Sequence, residues 1–138
     1  MKKAAFTALA ILLLLALCAC DSTPDGLRFS NQSGAQIHAV YVSAVDRTEW
    51  ADPINYAKIS NGSSIYFDFD QADGDGPGLY DLGFVDGSAL NYDFYDVELA
   101  IGDTITLLPA QGEEGRMTVT AADGTVTEYE GYCYYNEE

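Results

Sequence analysis

The chain has 138 residues, and six lysine and arginine residues stand against 22 aspartate and glutamate residues, which gives a formal net charge of −16 at pH 7. So large an excess of negative charge opposes binding to nucleic-acid phosphates or to anionic lipid headgroups, and we therefore expect no nucleic-acid partner. The length suits one domain of ordinary size with its own hydrophobic core.

The N-terminal residues have the three-part layout of an export signal. Lys2 and Lys3 precede an apolar run over residues 4–19, which is interrupted only by Thr7 and is followed by Cys20. The run is shorter than the roughly 20 apolar residues that a helix needs to cross a bilayer. We therefore predict an N-terminal signal helix that is removed, rather than a lasting transmembrane helix.

The end of this segment, Leu17-Cys18-Ala19-Cys20, resembles the lipobox of bacterial lipoproteins. The resemblance implies that the thiol of Cys20 is acylated with a diacylglycerol and that the peptide is cut just before it. Cys18 offers a second thiol for the same chemistry, and an ordinary secretion signal with incidental cysteines is the alternative. The expected location is the extracytoplasmic face of a bacterial cell membrane, where the lipid is the anchor.

Cleavage before Cys20 would divide the chain into three parts. We predict a signal peptide over residues 1–19, a lipidated tether over residues 20–26 and a single domain over residues 27–138. The mature chain loses Lys2 and Lys3, so four basic residues remain against 22 acidic ones and the formal charge becomes −18. Cys18 is removed with the signal peptide and Cys20 takes the lipid, so Cys133 is the one other cysteine of the mature chain. We therefore expect no intramolecular disulfide, and we expect a monomer.

From Leu27 onward, short alternating segments separated by turn residues predict β-strands. One strand opens at Leu27, and others cover residues 37–43, 65–69, 79–85, 91–99 and 104–108. Phe67 and Phe69 alternate with Asp68 and Asp70, which indicates one face in the core and one in water. Residues 46–56 break the alternation, and we predict a short helical turn there that Pro53 limits.

The C-terminal hairpin allows a prediction of strand register. A two-residue turn at Asp123-Gly124 would set Met117 opposite Glu130 and mix charge into the apolar face. A three-residue loop with Gly124 in the left-handed conformation sets Met117 opposite Tyr129 instead. A slip of one residue exchanges the two faces of a strand, so we predict the three-residue loop.

Together these segments predict an all-β fold, an antiparallel β-sandwich of about eight short strands that is immunoglobulin-like or similar. The order of motifs resembles that of small secreted bacterial β-sandwich domains of unknown function. The likeness covers residues 27–108 and implies a fold but no activity. The motifs that carry it include Phe29-x-Asn31-x-Ser33-Gly34, Trp50, Tyr80-Asp81-Leu82 and Thr104-Ile105-Thr106-Leu107.

The residues that could act in catalysis form no recognisable motif. His38 is the only histidine, and without a G-x-S-x-G elbow we interpret it as structural. Cys133 has no basic neighbour to lower its pKa, so we interpret it as a packed side chain. We predict a non-catalytic protein. The alternative is a carboxylate-dependent hydrolase, which would require two acids at a suitable separation in space.

An acidic stretch before and within a Gly-rich turn could bind a hard cation. Asp68, Asp70, Asp73 and Asp75 offer the oxygen ligands that calcium prefers, although their spacing departs from an EF-hand. A solvated turn without metal is the alternative interpretation. We predict at most weak calcium binding, with a dissociation constant of about 10⁻⁴ to 10⁻³ M, and no other cofactor.

Aromatic residues are the second group that could bind a ligand. Ten tyrosines and Trp50 provide contact area with a polar tip, which suits both sugar and protein partners. We predict a lipid-anchored binding or interaction module whose ligand, a protein or a carbohydrate, the sequence does not identify. Five tyrosines are not easily buried all at once: Tyr92, Tyr95, Tyr132, Tyr134 and Tyr135.

Overall fold

The computed structural model describes residues 26–72 and 74–137, and within these ranges the chain is all-β with eight strands, as the sequence predicts. The predicted signal helix, Cys20 and Asp73 lie outside the described residues. The strands are β1 (Leu27–Asn31), β2 (Ile37–Ala44), β3 (Ser64–Phe67), β4 (Gly78–Asp86), β5 (Leu90–Leu99), β6 (Thr104–Gln111), β7 (Glu114–Thr120) and β8 (Val126–Tyr135).

All eight strands belong to one mixed sheet, in the order β2-β4-β5-β8-β7-β6-β1-β3. Strand β1 pairs parallel with β6, and the other pairs are antiparallel. Four strands separate β1 from β4 in this order, yet Phe29 on β1 stacks on Phe84 of β4 with ring centroids 5.0 Å apart. The sheet is therefore curled into a half-barrel whose two halves enclose the core.

The inward side chains follow the predicted alternation. Phe67 and Phe69 are buried, whereas Tyr66 is 52% exposed. On β4 the side chains of Tyr80, Leu82 and Phe84 are buried as well, as the pattern predicts. Because most strands send alternate residues into the enclosed space, the described residues form one continuous apolar core.

A β-bulge in β5 shifts its alternation by one residue. Tyr80 pairs with Val97 and Leu82 pairs with Phe94, so β5 has two residues where β4 has only Asp81. Asp96 takes a φ of 54° at this point, and its N–H donates to a carboxylate oxygen of Asp81 over 3.0 Å. The bulge lets apolar side chains before and after it face the core.

Gly131 marks the corner at which the sheet turns over. Strand β8 pairs with β7 from Val126 to Tyr132 but with β5 only from Tyr132 to Tyr135. A Cβ at Gly131 would lie 2.6 Å from Cδ1 of Phe94, and closer still to the carbonyl oxygen of Asp93. Only a residue without a side chain allows the two strands to cross this closely.

The helical turn predicted in residues 46–56 is wrong, because this segment is an irregular loop that runs beside β2. Strand β2 is at an end of the sheet order, so no neighbouring strand pairs with the backbone groups of its outer edge. The N–H of Ile54 donates to the carbonyl oxygen of Val40 over 2.9 Å, and the N–H of Val40 donates to Oδ1 of Asn55 over 2.8 Å. The loop thus covers the edge that a helix would leave open.

The C-terminal hairpin has the predicted register. Met117 pairs with Tyr129, Val119 with Thr127 and Arg116 with Glu130. Gly124 has a φ of 91°, in the left-handed region that favours glycine. The three-residue loop is therefore confirmed.

Candidate ligand-binding site

Four residues form a row across the outer face of the sheet. Tyr41 pairs with Gly83, Gly83 with Asp93, and Asp93 with Tyr132, across β2, β4, β5 and β8 in turn. The neighbours of Asp93 on β5 are core residues, so the Asp93 side chain points outward. The row places one carboxylate in the middle of an aromatic surface.

Tyrosine side chains cover Asp93, which is only 8% exposed although it faces outward. The Tyr134 hydroxyl donates to Oδ2 of Asp93 over 2.7 Å, and the Tyr95 hydroxyl donates to the same oxygen over 3.3 Å. The rings of Tyr95 and Tyr132 have centroids 6.2 Å apart and are inclined at 57°. These contacts hold the tyrosines in place before any ligand arrives.

The second carboxylate oxygen of Asp93, Oδ1, accepts none of the hydrogen bonds of the described residues. A Cβ added at Gly83 would lie 3.5 Å from Oδ1 of Asp93 and 3.3 Å from the Trp50 ring, so both groups flank this glycine. Among the described residues every fully buried side-chain oxygen has a hydrogen-bond partner. Of the two carboxylate oxygens of Asp93, only Oδ2 accepts a hydrogen bond. Oδ1 is therefore not fully enclosed, and the Trp50 ring near it packs against Tyr41 with centroids 6.1 Å apart.

The tyrosines and Asp93 line a concave space of about 840 Å³, which we call the tyrosine pocket. This volume is within the range of roughly 300 to 1,000 Å³ that is usual for small-molecule sites. Within residues 26–72 and 74–137, no lysine, arginine or histidine lines it. The charged and aromatic lining residues are Asp93, Glu113, Glu137, Tyr95, Tyr132, Tyr134 and Tyr135.

The tyrosine hydroxyls that hold Asp93 stay protonated at neutral pH. The hydrogen bond to Asp93, helped by burial, raises the pKa of Tyr134 to about 12. Burial and the Asp93 charge also raise the pKa of Tyr95 above its ordinary value. Both groups therefore continue to donate to the carboxylate across the physiological pH range.

A second buried carboxylate, that of Asp86, supports the β4–β5 turn beneath the pocket. Its Oδ1 accepts from the N–H and hydroxyl of Ser88 at 2.8 and 2.7 Å, and its Oδ2 accepts from the Tyr92 hydroxyl at 3.3 Å. Burial by itself would raise the pKa of Asp86, but the hydrogen bonds outweigh burial and the pKa is below its ordinary value. Asp86 thus stabilises the fold as a charged group.

The acidic stretch predicted to bind calcium is brought together only in part. Asp70 and Asp75 line a cavity of about 610 Å³ with Asp46, and Arg47 lines the same cavity. Asp68 instead accepts from the backbone N–H of Gln71 over 3.0 Å, and the Gln71 side chain accepts from the N–H of Asp68 over 3.1 Å. No group of three His, Cys, Asp or Glu residues in the described part of the chain could hold a metal ion.

His38 and Cys133 are the two residues that the sequence analysis considered for nucleophilic chemistry. His38 is exposed on β2, and its Nε2 lies 3.2 Å from Oε1 of Gln36. Cys133 is buried, and burial together with the charge of Asp86 raises its pKa, so the thiol stays protonated. The interpretation of Cys133 as a packed side chain is confirmed.

Sequence reasoning identified all four tyrosines of the pocket but missed the carboxylate between them. Four of the five tyrosines singled out line the pocket, and the fifth, Tyr92, is buried in the core. The signal for Asp93 was its position between Tyr92 and Phe94, because two inward aromatics force the residue between them outward. With 22 acidic residues in the chain, that signal did not stand out.

Two further observations concern the described residues and the whole sequence, respectively. In that part of the chain, no helix has the length and apolar character needed to cross a bilayer. No protein-family model, curated protein or solved structure matches the chain. Functional inference therefore rests on the chemistry of the site.

Proposed function

We propose that this protein is a non-catalytic binding module, held by a lipid on the extracytoplasmic face of a bacterial membrane, and that the tyrosine pocket receives its ligand. The observation that carries the proposal is the group of exposed tyrosines around Asp93, two of which donate to the same carboxylate oxygen and leave the other without a hydrogen bond from the described residues. Tyrosines supply large contact area with few rotatable bonds, so little conformational entropy is lost on binding.

The arrangement of the pocket supports binding more than it supports fold stability. Tyr132 is 66% exposed and Tyr135 is 61% exposed, so these rings contribute little to the core. Both lie on β8 within two residues of Cys133, which is buried, and the strand therefore presents them from a fixed position. Exposed aromatic side chains that a rigid strand holds in place are typical of recognition surfaces.

We also propose that the curled sheet is related to β-sandwich domains. The stacking of Phe29 on Phe84 brings the two halves of the sheet face to face, as the layers of a sandwich are. The two halves join through β8, which pairs with β5 on one side and with β7 on the other, and the parallel β1–β6 pair lies within one half. An experimental structure with helical layers, or one in which Phe29 and Phe84 are not in contact, would contradict this relation.

The anchor part of the proposal concerns Cys20. Strand β1 begins at Leu27, so about seven residues would connect the lipid to the domain. At roughly 3.3 to 3.6 Å per extended residue, such a tether reaches at most about 25 Å and keeps the pocket close to the membrane surface.

Labelling with a radioactive fatty acid tests the anchor. We expect label in the parent chain and in Cys18→Ser, and no label with an uncleaved precursor in Cys20→Ser. Loss of label only in Cys18→Ser would assign the lipid to the other thiol. Absence of label from all three proteins would refute the anchor.

Calorimetry, together with the fluorescence of Trp50, the single tryptophan, tests binding in the pocket, and Trp50 can report on it because its ring lies near Gly83, as Asp93 does. The full-length chain in a polyoxyethylene detergent is titrated with neutral sugars and with small organic cations, because this detergent carries neither a sugar nor a charge. We expect a saturable change with at least one class, which Tyr132→Ala abolishes. Tyr66→Ala is the matched control, since Tyr66 is an exposed strand tyrosine on β3, at the far end of the sheet order. No saturable change with either class would refute the site.

A further inference from the structure

We propose that the ligand of the tyrosine pocket is a small quaternary ammonium ion. This inference rests on the proposed function, because it names the chemistry that the same pocket would select. Three properties of the pocket support it: the sign of its charges, the absence of a cationic contact to Asp93 among the described residues, and the angle between its aromatic rings.

The charges that line the pocket all have one sign. Asp93, Glu113 and Glu137 contribute carboxylates, and none of the described lining residues is basic. The whole chain carries a formal charge of −16, so the field outside the pocket has the same sign as the field within it. A concave, single-sign site concentrates ions of opposite charge and repels anions. A neutral ligand gains nothing from this field.

Asp93 lacks the cationic partner that a nearly buried carboxylate usually has. Among the described residues its polar contacts are the hydroxyls of Tyr95 and Tyr134, both on Oδ2. A charge taken out of water is costly unless it is paired, and a bound cation would supply the missing pair. Oδ1 accepts none of these bonds and lies near Gly83, and Trp50, whose ring is also near this glycine, belongs to a separate cavity that it shares with Arg47.

The geometry of the rings distinguishes a cation from a sugar. Sugars stack flat on an aromatic face, whereas the Tyr95 and Tyr132 rings are inclined at 57° with centroids 6.2 Å apart. Two rings that meet at an angle offer no single flat platform for stacking, whereas a compact and roughly spherical group can contact either ring. A quaternary ammonium ion has this shape, needs no hydrogen-bond acceptors and is attracted by aromatic rings.

The test compares choline with its neutral isostere 3,3-dimethylbutan-1-ol, which has the same shape without the charge. Both are titrated into the full-length chain in polyoxyethylene detergent at constant ionic strength, and Trp50 fluorescence and calorimetry follow binding. We expect the isostere to bind about tenfold or more weakly than choline. Tetramethylammonium should compete with choline, and glucose should not.

Two kinds of variant separate the charge from the aromatic contact. Asp93→Asn should weaken choline about tenfold and leave the isostere unchanged, provided that its melting curve shows an intact fold. Glu113→Gln, at an exposed position, should weaken choline about twofold without affecting the fold. Tyr132→Leu should weaken choline about tenfold, and Tyr132→Phe should retain binding because the aromatic ring is kept.

The possible outcomes decide between the two proposals. Equal affinity for choline and the isostere, or saturable binding of glucose without choline, would overturn the cation inference and leave the binding pocket standing. A choline response that sodium chloride reproduces would overturn the inference as well, because it would reflect charge screening alone. A choline response that Tyr132→Leu leaves intact would also overturn it, because the aromatic contact would not contribute. No saturable binding by any of the probes would refute both proposals.

Discussion

Replacing Gly131 by alanine should destabilise the protein at the corner where β8 crosses β5. A Cβ there would lie 2.6 Å from Cδ1 of Phe94 and closer to the Asp93 carbonyl oxygen, whereas carbon atoms in van der Waals contact are about 3.5 to 4.0 Å apart. The phenylalanine ring could shift. The carbonyl oxygen belongs to a strand that pairs with β4 as well as β8, so its displacement would weaken the sheet.

The expected magnitude follows from two opposing terms. An extra methyl group in a packed contact costs about 1 to 3 kcal/mol. The alanine also restricts the unfolded chain, which offsets about 0.4 to 1 kcal/mol of that cost. The net loss is then between zero and about 2.6 kcal/mol, and the central value of about 1.3 kcal/mol would lower the melting temperature of a domain of this size by about 5 to 10 °C.

Urea unfolding followed by far-ultraviolet circular dichroism measures this loss, and two other glycines provide controls. A Cβ at Gly78 has no atom within 4 Å, so Gly78→Ala should be neutral or slightly stabilising. A Cβ at Gly115 would lie 3.1 Å from Cζ of Phe94, so Gly115→Ala should be intermediate. An equal effect of alanine at Gly131 and Gly78 would refute the close crossing of β5 and β8.

Three further predictions concern the core, the buried acid and the acidic stretch. Phe67→Ala should cost about 3 to 5 kcal/mol in urea unfolding, and Tyr66→Ala less than about 1, because only the first side chain is buried. Asp86→Asn should destabilise the protein at pH 7. The difference from the parent should shrink as the pH falls below about 4, since a carboxyl with a lowered pKa stabilises only while it is ionised in the folded state; a difference that persists at pH 2 would contradict this. Millimolar calcium should stabilise by at most about 1.4 kcal/mol. A melting shift that persists in sodium chloride and disappears when Asp73 and Asp75 are both changed to Asn would establish a site, whereas an equal shift in any salt would mean screening only.

The hairpin between β7 and β8 shows which features a sequence determines locally. Its strands are adjacent in the chain, so the alternation of apolar residues and the left-handed preference of Gly124 were sufficient to predict the pairing of Met117 with Tyr129. The inward faces of β3 and β4 were predictable for the same reason, since alternation reports which side of a strand is buried.

The sequence predicted the tyrosines of the pocket but not their arrangement around Asp93. Aromatic residues that a core cannot hold in full are visible in the composition, and Tyr132 and Tyr134 alternate around the buried Cys133. Their meeting with Asp93 depends on the pairing of β5 with β8, whose partner residues lie 39 to 45 positions apart in the chain. No local pattern selects one of 22 acids as the partner of those tyrosines.

The sequence by itself determined the all-β class, the strand number, the faces that point inward and the register of the last hairpin, because these depend on alternation and turn chemistry within a few residues. The tertiary structure alone decided that β1 lies parallel to β6, that the sheet curls until Phe29 meets Phe84, and that β8 crosses β5 at Gly131. Alternation specifies the buried side of a strand but not its neighbour. The neighbours are selected by how the whole set of side chains fills one enclosed core.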